Sequence, residues 1–114
     1  MLVDVETVLT GHGEAIVRVR GELDLESADQ LRHVVTDLLN AGGTSVIGLD
    51  LGELTFVDST GIGTLVVARR ICDQVGVTLR LVAVSPFVAH VLNITGVSEQ
   101  FGVAGLISAR NVPA

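Results

Sequence analysis

The sequence predicts a single α/β domain, with a mixed central β-sheet of four to five strands and about four to five α-helices. Segments rich in valine and isoleucine indicate strands, and segments with apolar residues at helical spacing alternate with them. Turns containing glycine separate the two kinds of segment. The chain has 114 residues, 48% of them hydrophobic, which is enough to bury one core without disulfides or metal. We therefore expect residues 1–114 to form one domain.

These patterns place four strands and three helices. The predicted strands lie at about 2–9, 15–20, 44–50 and 77–84. The predicted helices lie at about 27–40, 60–74 and 86–93. A strand, an amphipathic helix and a second strand form a right-handed crossover, so the strands at 15–20 and 44–50 should be parallel. Residues 97–109 are apolar and interrupted by glycine, and they fit either a further strand or a further helix.

Local signals mark where two of the helices begin. Ser27 and Gln30 have the spacing of a capping box, which predicts Ser27 as the N-cap of the first helix. Ser85 followed by Pro86 predicts an N-cap with proline at the first position of the third helix.

Charge and composition exclude several classes of function. All seven basic side chains are arginine and face thirteen carboxylates, which gives a net charge of −6 and leaves no basic footprint for nucleic acid. The absence of lysine excludes Schiff-base chemistry and the lysine-dependent phosphate sites. No base for catalysis is evident either, so we expect a protein that is not an enzyme.

The chain also carries no signal for export, a membrane or a metal. Cys72 is the single cysteine, so no internal disulfide can form, and we expect a cytoplasmic protein. The longest uncharged stretch, 81–98, is interrupted by polar residues and proline, so no membrane contact is predicted. The three histidines and Cys72 show no metal-ligand spacing, so neither a metal nor a cofactor is expected. These histidines are His12, His33 and His90.

A hydroxyl-rich segment begins the second predicted helix. Asp58, Ser59 and Thr60 precede the glycines at 61 and 63, and the first turn of a helix can hold an anion such as a phosphate on Ser59. The simpler interpretation is that Asp58 or Ser59 only caps the helix. Valine at position 57 breaks the pattern of a hydrolase nucleophile, so Ser59 fits a phosphate acceptor better than a nucleophile.

A second acidic segment, Gly21-Glu22-Leu23-Asp24, follows the strand at 15–20. Parallel strands end along one edge of a sheet, and we therefore expect Asp24 to lie near Ser59. Taken from its residue type alone, Asp24 is a solvated loop carboxylate.

The two segments together resemble a known family. Gly21-Glu22-Leu23-Asp24, then Leu49-Asp50-Leu51, and the string from Phe56 to Gly63 are similar to the anti-sigma factor antagonists of the STAS domain family. The resemblance covers nearly the whole chain and is strongest over 20–65. It implies a protein that binds an anti-sigma factor serine kinase and thereby releases a sigma factor for transcription.

The resemblance also implies which residues act. Ser59 corresponds to the residue that is phosphorylated, Thr60 is a less favoured neighbour, and a serine phosphatase would reverse the modification. Asp24 and Asp58 resemble the acidic residues that help the partner dock. We expect partner contacts along this segment, on side chains near Ser59. The partner-binding set is Asp24, Asp58, Ser59, Thr60, Gly61 and Ile62. The apolar residues of the second helix are expected to belong mostly to the core, but some of the surface around Ile62, Thr64 and Leu65 is expected to be exposed as a docking patch.

Two other interpretations remain. Some members of the family are docking modules without a phosphorylation switch, in stress-signalling or transport complexes. A small α/β enzyme or a phospho-aspartate receiver fits less well, because a receiver needs a lysine and an acidic pair that this chain lacks.

Overall fold

The structure, a computed structural model, describes residues 3–96. Strands and helices alternate after an initial hairpin, as the sequence patterns predict. The strands are β1 (Val3–Leu9), β2 (Glu14–Leu23), β3 (Val46–Val57) and β4 (Thr78–Val84). The helices are α1 (Leu25–Ala41), α2 (Ser59–Gln74) and α3 (Pro86–Ile94).

One mixed sheet organises the fold, in the order β1-β2-β3-β4. β1 and β2, the first two predicted strands, form an antiparallel hairpin. β2 pairs in parallel with β3, and β3 pairs in parallel with β4, which confirms the predicted crossover. Residues 3–96 contain four strands and three helices, so the expected four to five helices exceed the number found. The element predicted at 97–109 lies outside the described residues.

The core lies between the helices and one face of the sheet. Alternate residues of β2 supply this face because side chains in a strand point to opposite sides with a period of two. Helices α1 and α2 pack against each other and against the sheet. The largest side chains with almost no exposure are Leu23, Leu31, Ile47, Leu49, Leu51, Leu54, Leu65, Leu81 and Leu92.

The other face of β2 carries arginines that bridge neighbouring strands. The side chains of Arg18 and Arg20 are each 35% exposed, so this face of the sheet meets solvent in part. Both guanidinium groups form ion pairs with carboxylates on β1 on one side and β3 on the other. The nearest pairs are Arg18 with Glu6 (3.4 Å) and Asp50 (3.2 Å), and Arg20 with Asp4 (2.8 Å) and Glu53 (3.3 Å).

β3 is longer than the sequence predicts. The predicted strand ends near residue 50, whereas β3 continues to Val57. The pairing of β2 with β3 contains irregular steps, and the buried residues of the extension, Leu51, Leu54 and Val57, are spaced by three. This spacing breaks the two-residue alternation that identifies a strand. The extension carries the chain to the sheet edge where α2 begins.

α3 begins at the residue that the Ser85-Pro86 signal predicts, and its start lies beside the extension of β3. Ser85 is the N-cap of α3, and its hydroxyl accepts from the Val88 N–H at 3.3 Å, with Pro86 at the start of the helix. The same hydroxyl donates to the Leu54 carbonyl at 2.7 Å. α3 therefore satisfies a backbone acceptor of β3 beyond the last residue that pairs with β4, Leu51.

Candidate functional site

The ends of β2 and β3 bring the two singled-out segments together. Leu23 and Val57 are partners in the parallel ladder, and the Asp58 N–H donates to the Leu23 carbonyl at 3.3 Å. Asp24 and Asp58 are the residues that follow these two partners. The expected meeting of the two segments at one sheet edge is therefore confirmed.

Asp58 caps helix α2. Its Oδ1 accepts a hydrogen bond from the Gly61 N–H at 2.9 Å, and its carbonyl accepts from the Ile62 N–H at 3.0 Å. Of the two capping residues that the sequence allows, Asp58 is the N-cap and Ser59 is the first residue of the helix. The side chain of Ser59 is therefore not needed to cap α2.

The Ser59 side chain is exposed, and its hydroxyl makes no hydrogen bond with any residue of the range 3–96. Helix geometry provides no backbone acceptor for the amides of the first turn, where the helix dipole is positive. A phosphate on Ser59 would lie close to these amides. Thr60, the next residue, is also exposed.

Asp24 caps helix α1, which corrects two predictions. It was expected as a solvated loop carboxylate, and Ser27 was expected as the cap. Instead, Asp24 Oδ1 accepts from the N–H groups of Glu26 and Ser27, both at 3.1 Å. The Ser27 hydroxyl is the other half of a capping box, since it accepts from the Asp24 N–H at 2.9 Å. Ser27 is thus the third residue of the helix.

These hydrogen bonds lower the pKa of Asp24. The backbone N–H of Ser27 has the largest effect, because it stabilises the charged carboxylate. Burial acts in the opposite direction, and the Ser27 hydroxyl and the Glu26 N–H lower the pKa further. Asp24 is therefore a fixed negative charge beside the start of α2.

Three side chains at this edge were not candidates from the sequence. Leu25 is 71% exposed and directly follows Asp24, and Phe56 is 39% exposed. Glu22 is the ladder partner of Phe56, and its Oε1 is buried without a hydrogen-bond partner among the described residues. Glu22 lies in the segment that the sequence singled out, but its type alone does not separate it from a solvated carboxylate.

The expected docking patch on Ile62, Thr64 and Leu65 is wrong. Ile62 and Thr64 are each 9% exposed and Leu65 is fully buried, because this side of α2 faces the core. Gly61 is buried as well, so Gly61 and Ile62 lie beneath the exposed side chains of Ser59 and Thr60. The exposed side of this turn of α2 therefore carries the hydroxyls of Ser59 and Thr60.

The two glycines of the segment differ in what requires them. A Cβ on Gly61 would lie 2.4 Å from the Leu23 carbonyl oxygen, which is too close for any side chain. Within the part of the chain that the structure describes, a Cβ on Gly63 would meet nothing beyond its own helix within 4 Å, and Gly63 has no positive φ. Glycine costs about 1 kcal/mol relative to alanine inside a helix. Packing therefore explains Gly61, whereas neither packing nor backbone conformation within residues 3–96 explains Gly63.

Two negative observations concern the part of the chain that the structure describes. Between residues 3 and 96, no group of three histidine, cysteine, aspartate or glutamate side chains is arranged to hold a metal ion. In the same range, no helix is long and apolar enough to cross a membrane.

Comparison with known proteins identifies the class to which this architecture belongs. The model of the STAS domain matches residues 6–109. The anti-sigma F factor antagonist of Paenibacillus polymyxa is 31% identical over 84 residues, which cover 74% of this chain and 72% of that protein. The anti-sigma-B factor antagonist of Staphylococcus aureus is 31% identical over 83 residues, which cover 73% and 76%. The chain belongs to the STAS domain family.

Solved structures agree with this assignment. The anti-sigma factor antagonist SpoIIAA in its unphosphorylated form superposes with a TM-score of 0.71 and 25% identity, over 82% of this chain and 81% of that chain. The Bacillus protein SpoIIAA in its phosphorylated form gives a TM-score of 0.67 at 23% identity, over 84% and 86%. The two sequence relatives and unphosphorylated SpoIIAA are thus antagonists of anti-sigma factors. Both forms of SpoIIAA share this fold.

Proposed function

We propose that the chain is an anti-sigma factor antagonist controlled by phosphorylation of Ser59. Unphosphorylated, it binds an anti-sigma factor that is also a serine kinase, and a sigma factor is released. The observation that carries the proposal is the Ser59 hydroxyl, which is exposed at the first position of α2 and makes no hydrogen bond with the residues that the structure describes. A kinase can reach this hydroxyl without unfolding the helix.

The charge around Ser59 explains how phosphorylation would end binding. A phosphate adds about −1.5 to −2 charge units at pH 7, beside the carboxylates of Asp58 and Asp24, in a chain of net charge −6. The first turn of α2 can hold the phosphate, so the fold stays intact. Binding is lost because the partner would have to desolvate this charge or meet it with its own. The similar folds of the two SpoIIAA forms are consistent with a local switch.

The neighbouring residues take the roles that the geometry allows. Asp24 and Asp58 hold the helix starts and present their carboxylates to the partner, while Thr60 adds an exposed hydroxyl. Gly61 and Ile62 are buried, and they hold the first turn of α2 in place by packing against the core. On this proposal the chain is a binding protein and not an enzyme. It acts in the cytoplasm, without contact to nucleic acid or membrane, and a serine phosphatase restores it.

The test uses purified anti-sigma factors of the sigma F and sigma B types, with and without ATP. Affinity is measured by calorimetry and phosphoryl transfer by intact-mass spectrometry. We expect wild type to bind one of these factors and to gain one phosphoryl group. Ser59→Ala should bind without being phosphorylated, and Ser59→Asp should bind at least about tenfold more weakly. Thr60→Ala is the matched control, since it removes the adjacent exposed hydroxyl but leaves the acceptor.

Two results would overturn a switch at Ser59. One is that the wild type gains no phosphoryl group while Ser59→Ala and Ser59→Asp bind equally well, which is the behaviour of a docking module without a switch. The other is phosphorylation of Ser59→Ala but not of Thr60→Ala, which would move the acceptor to Thr60. Loss of the native circular dichroism spectrum on phosphorylation would contradict the local mechanism.

A further inference from the structure

Gly63 occupies an exposed position of α2 that the fold leaves open. It lies in the first half of the helix Ser59–Gln74 and is solvent-exposed. Outside its chain neighbours and its own helix backbone, a Cβ at this position would meet no atom of the described residues within 4 Å. Alanine would favour the helix and would fit, so the described part of the chain gives no internal reason for glycine.

Gly63 shares its face of α2 with the candidate phosphorylation site. Residues four apart on a helix are neighbours on one face, which aligns Ser59, Gly63 and Val67. Ser59 is exposed, and its hydroxyl makes no hydrogen bond within residues 3–96. The apolar side chain of Val67 is 44% exposed. The face thus presents a hydroxyl, then bare backbone, then an apolar side chain.

We propose that Gly63 is a close-contact residue, where a segment of the anti-sigma factor packs directly on the backbone of α2. The inference rests on the proposed function and names the feature that determines how closely the partner approaches. The partner is fixed by continuity with the Ser59 site one turn away, and Val67 supplies apolar area at the far end of the contact.

This contact would make binding sensitive to a phosphate on Ser59, because it brings the partner close to that side chain. A partner seated on bare backbone at Gly63 lies close to the Ser59 side chain, which leaves no room for a phosphate and its water. A side chain at position 63 would hold the partner away from the helix. Affinity for the unphosphorylated form would then fall, although the fold would become more stable.

The experiment separates folding from binding in a background that cannot be phosphorylated. Gly63→Ala and Gly63→Gln are placed in Ser59→Ala, and affinity is measured against the same anti-sigma F and anti-sigma B factors. Thr36→Ala is the matched control, because Thr36 is an exposed helical residue that lies away from the site. It is in the later half of α1, whereas only the first turn of α1 lies at the site. We expect Gly63→Ala and Thr36→Ala to raise the melting temperature, the former by about 4 °C.

Affinity should respond only to position 63. Gly63→Ala should weaken binding about tenfold and Gly63→Gln further, while Thr36→Ala leaves it unchanged. Unchanged affinity in both Gly63 variants overturns the close contact but leaves the proposed function standing. A lower melting temperature for Gly63→Ala also overturns it, because glycine would then have a structural role. If the parent protein binds neither factor, the proposed function fails, and this inference fails with it.

Discussion

Gly61 lies so close to Leu23 that the start of α2 and the end of β2 are in direct backbone contact. A Cβ on Gly61 would fall 2.4 Å from the Leu23 carbonyl oxygen and 2.8 Å from a methyl carbon of Val57. The Leu23 carbonyl also accepts from the Asp58 N–H. The position of Ser59 relative to Asp24 is therefore set by packed backbone. The site needs no partner to assemble.

Replacing Gly61 should destabilise the protein. Gly61→Ala forces the start of α2 away from Leu23, and we expect the free energy of unfolding to fall by about 2 kcal/mol or more, as overpacked sites do. Urea denaturation followed by circular dichroism measures this change. Gly63→Ala is the control on the same helix, and it should raise the free energy of unfolding by about 1 kcal/mol. Equal effects of the two substitutions would show that the Leu23 contact is not tight.

Asp24 should make stability depend on pH in the acid range. Its pKa is lower in the folded protein than the ordinary value of 3.8. The charged cap therefore stabilises the fold fully above that value, and this contribution is lost as the pH falls through the lowered folded pKa. Asp24→Asn keeps a capping oxygen but cannot titrate there. Urea midpoints between pH 6 and pH 2 should fall less steeply for Asp24→Asn than for wild type, and parallel curves would contradict this assignment.

The starts of the helices show how far local sequence patterns reach. Ser85 with Pro86 identifies the start of α3 correctly, because an N-cap followed by proline has few alternatives. At α1, both Asp24 with Ser27 and Ser27 with Gln30 have capping-box spacing. The structure selects Asp24 because the Ser27 hydroxyl is also bound to the Glu22 carbonyl at 2.8 Å, at the end of β2. The choice depends on how the strand enters the helix.

At the candidate site, too, the sequence predicts some features, whereas others depend on tertiary packing. The meeting of the Asp24 and Ser59 segments follows from the parallel crossover, which the sequence predicts. The apolar residues of α2 were expected to be mostly core, and Ile62 and Leu65 are buried. Helical spacing groups them on one face, but it does not show how much of that face the sheet covers. β3 beyond residue 50 was missed because irregular pairing replaces the two-residue alternation. The exposure of Phe56 depends on that irregular pairing and was missed with it.

The arginines on the outer face of the sheet should stabilise it modestly and in a salt-dependent way. Arg18 pairs with Glu6 on β1 and with Asp50 on β3, and its side chain is 35% exposed. Exposed ion pairs are worth about 0–1 kcal/mol, and salt screens them. We expect Arg18→Met to lower the free energy of unfolding by less than about 1 kcal/mol in dilute buffer, with a smaller effect in about 1 M NaCl. Urea titrations at both salt concentrations measure this.

A control for Arg18 is available on α1. Arg32 pairs with Asp29 within a single helix and joins no strands. Arg32→Met should therefore change the free energy of unfolding less than Arg18→Met at low salt. A loss for Arg18→Met that is the same at both salt concentrations would mean that its apolar stem, and not its charge, stabilises the sheet.

Cys72 should be an unreactive thiol in the folded protein. Its side chain is fully buried in the core, and burial raises the pKa of Cys72 from 9.0 to about 11. Only the thiolate reacts with disulfide reagents. Because of the raised pKa, the thiolate fraction of Cys72 at pH 8 is about a hundredfold lower in the folded protein than in the unfolded chain. Labelling with an aromatic disulfide should thus be at least that much slower in buffer than in guanidinium chloride. The neutral thiol stabilises the fold below pH 9, and this contribution is lost as the pH rises towards 11. Equal labelling rates in the two solvents would place the thiol at the surface.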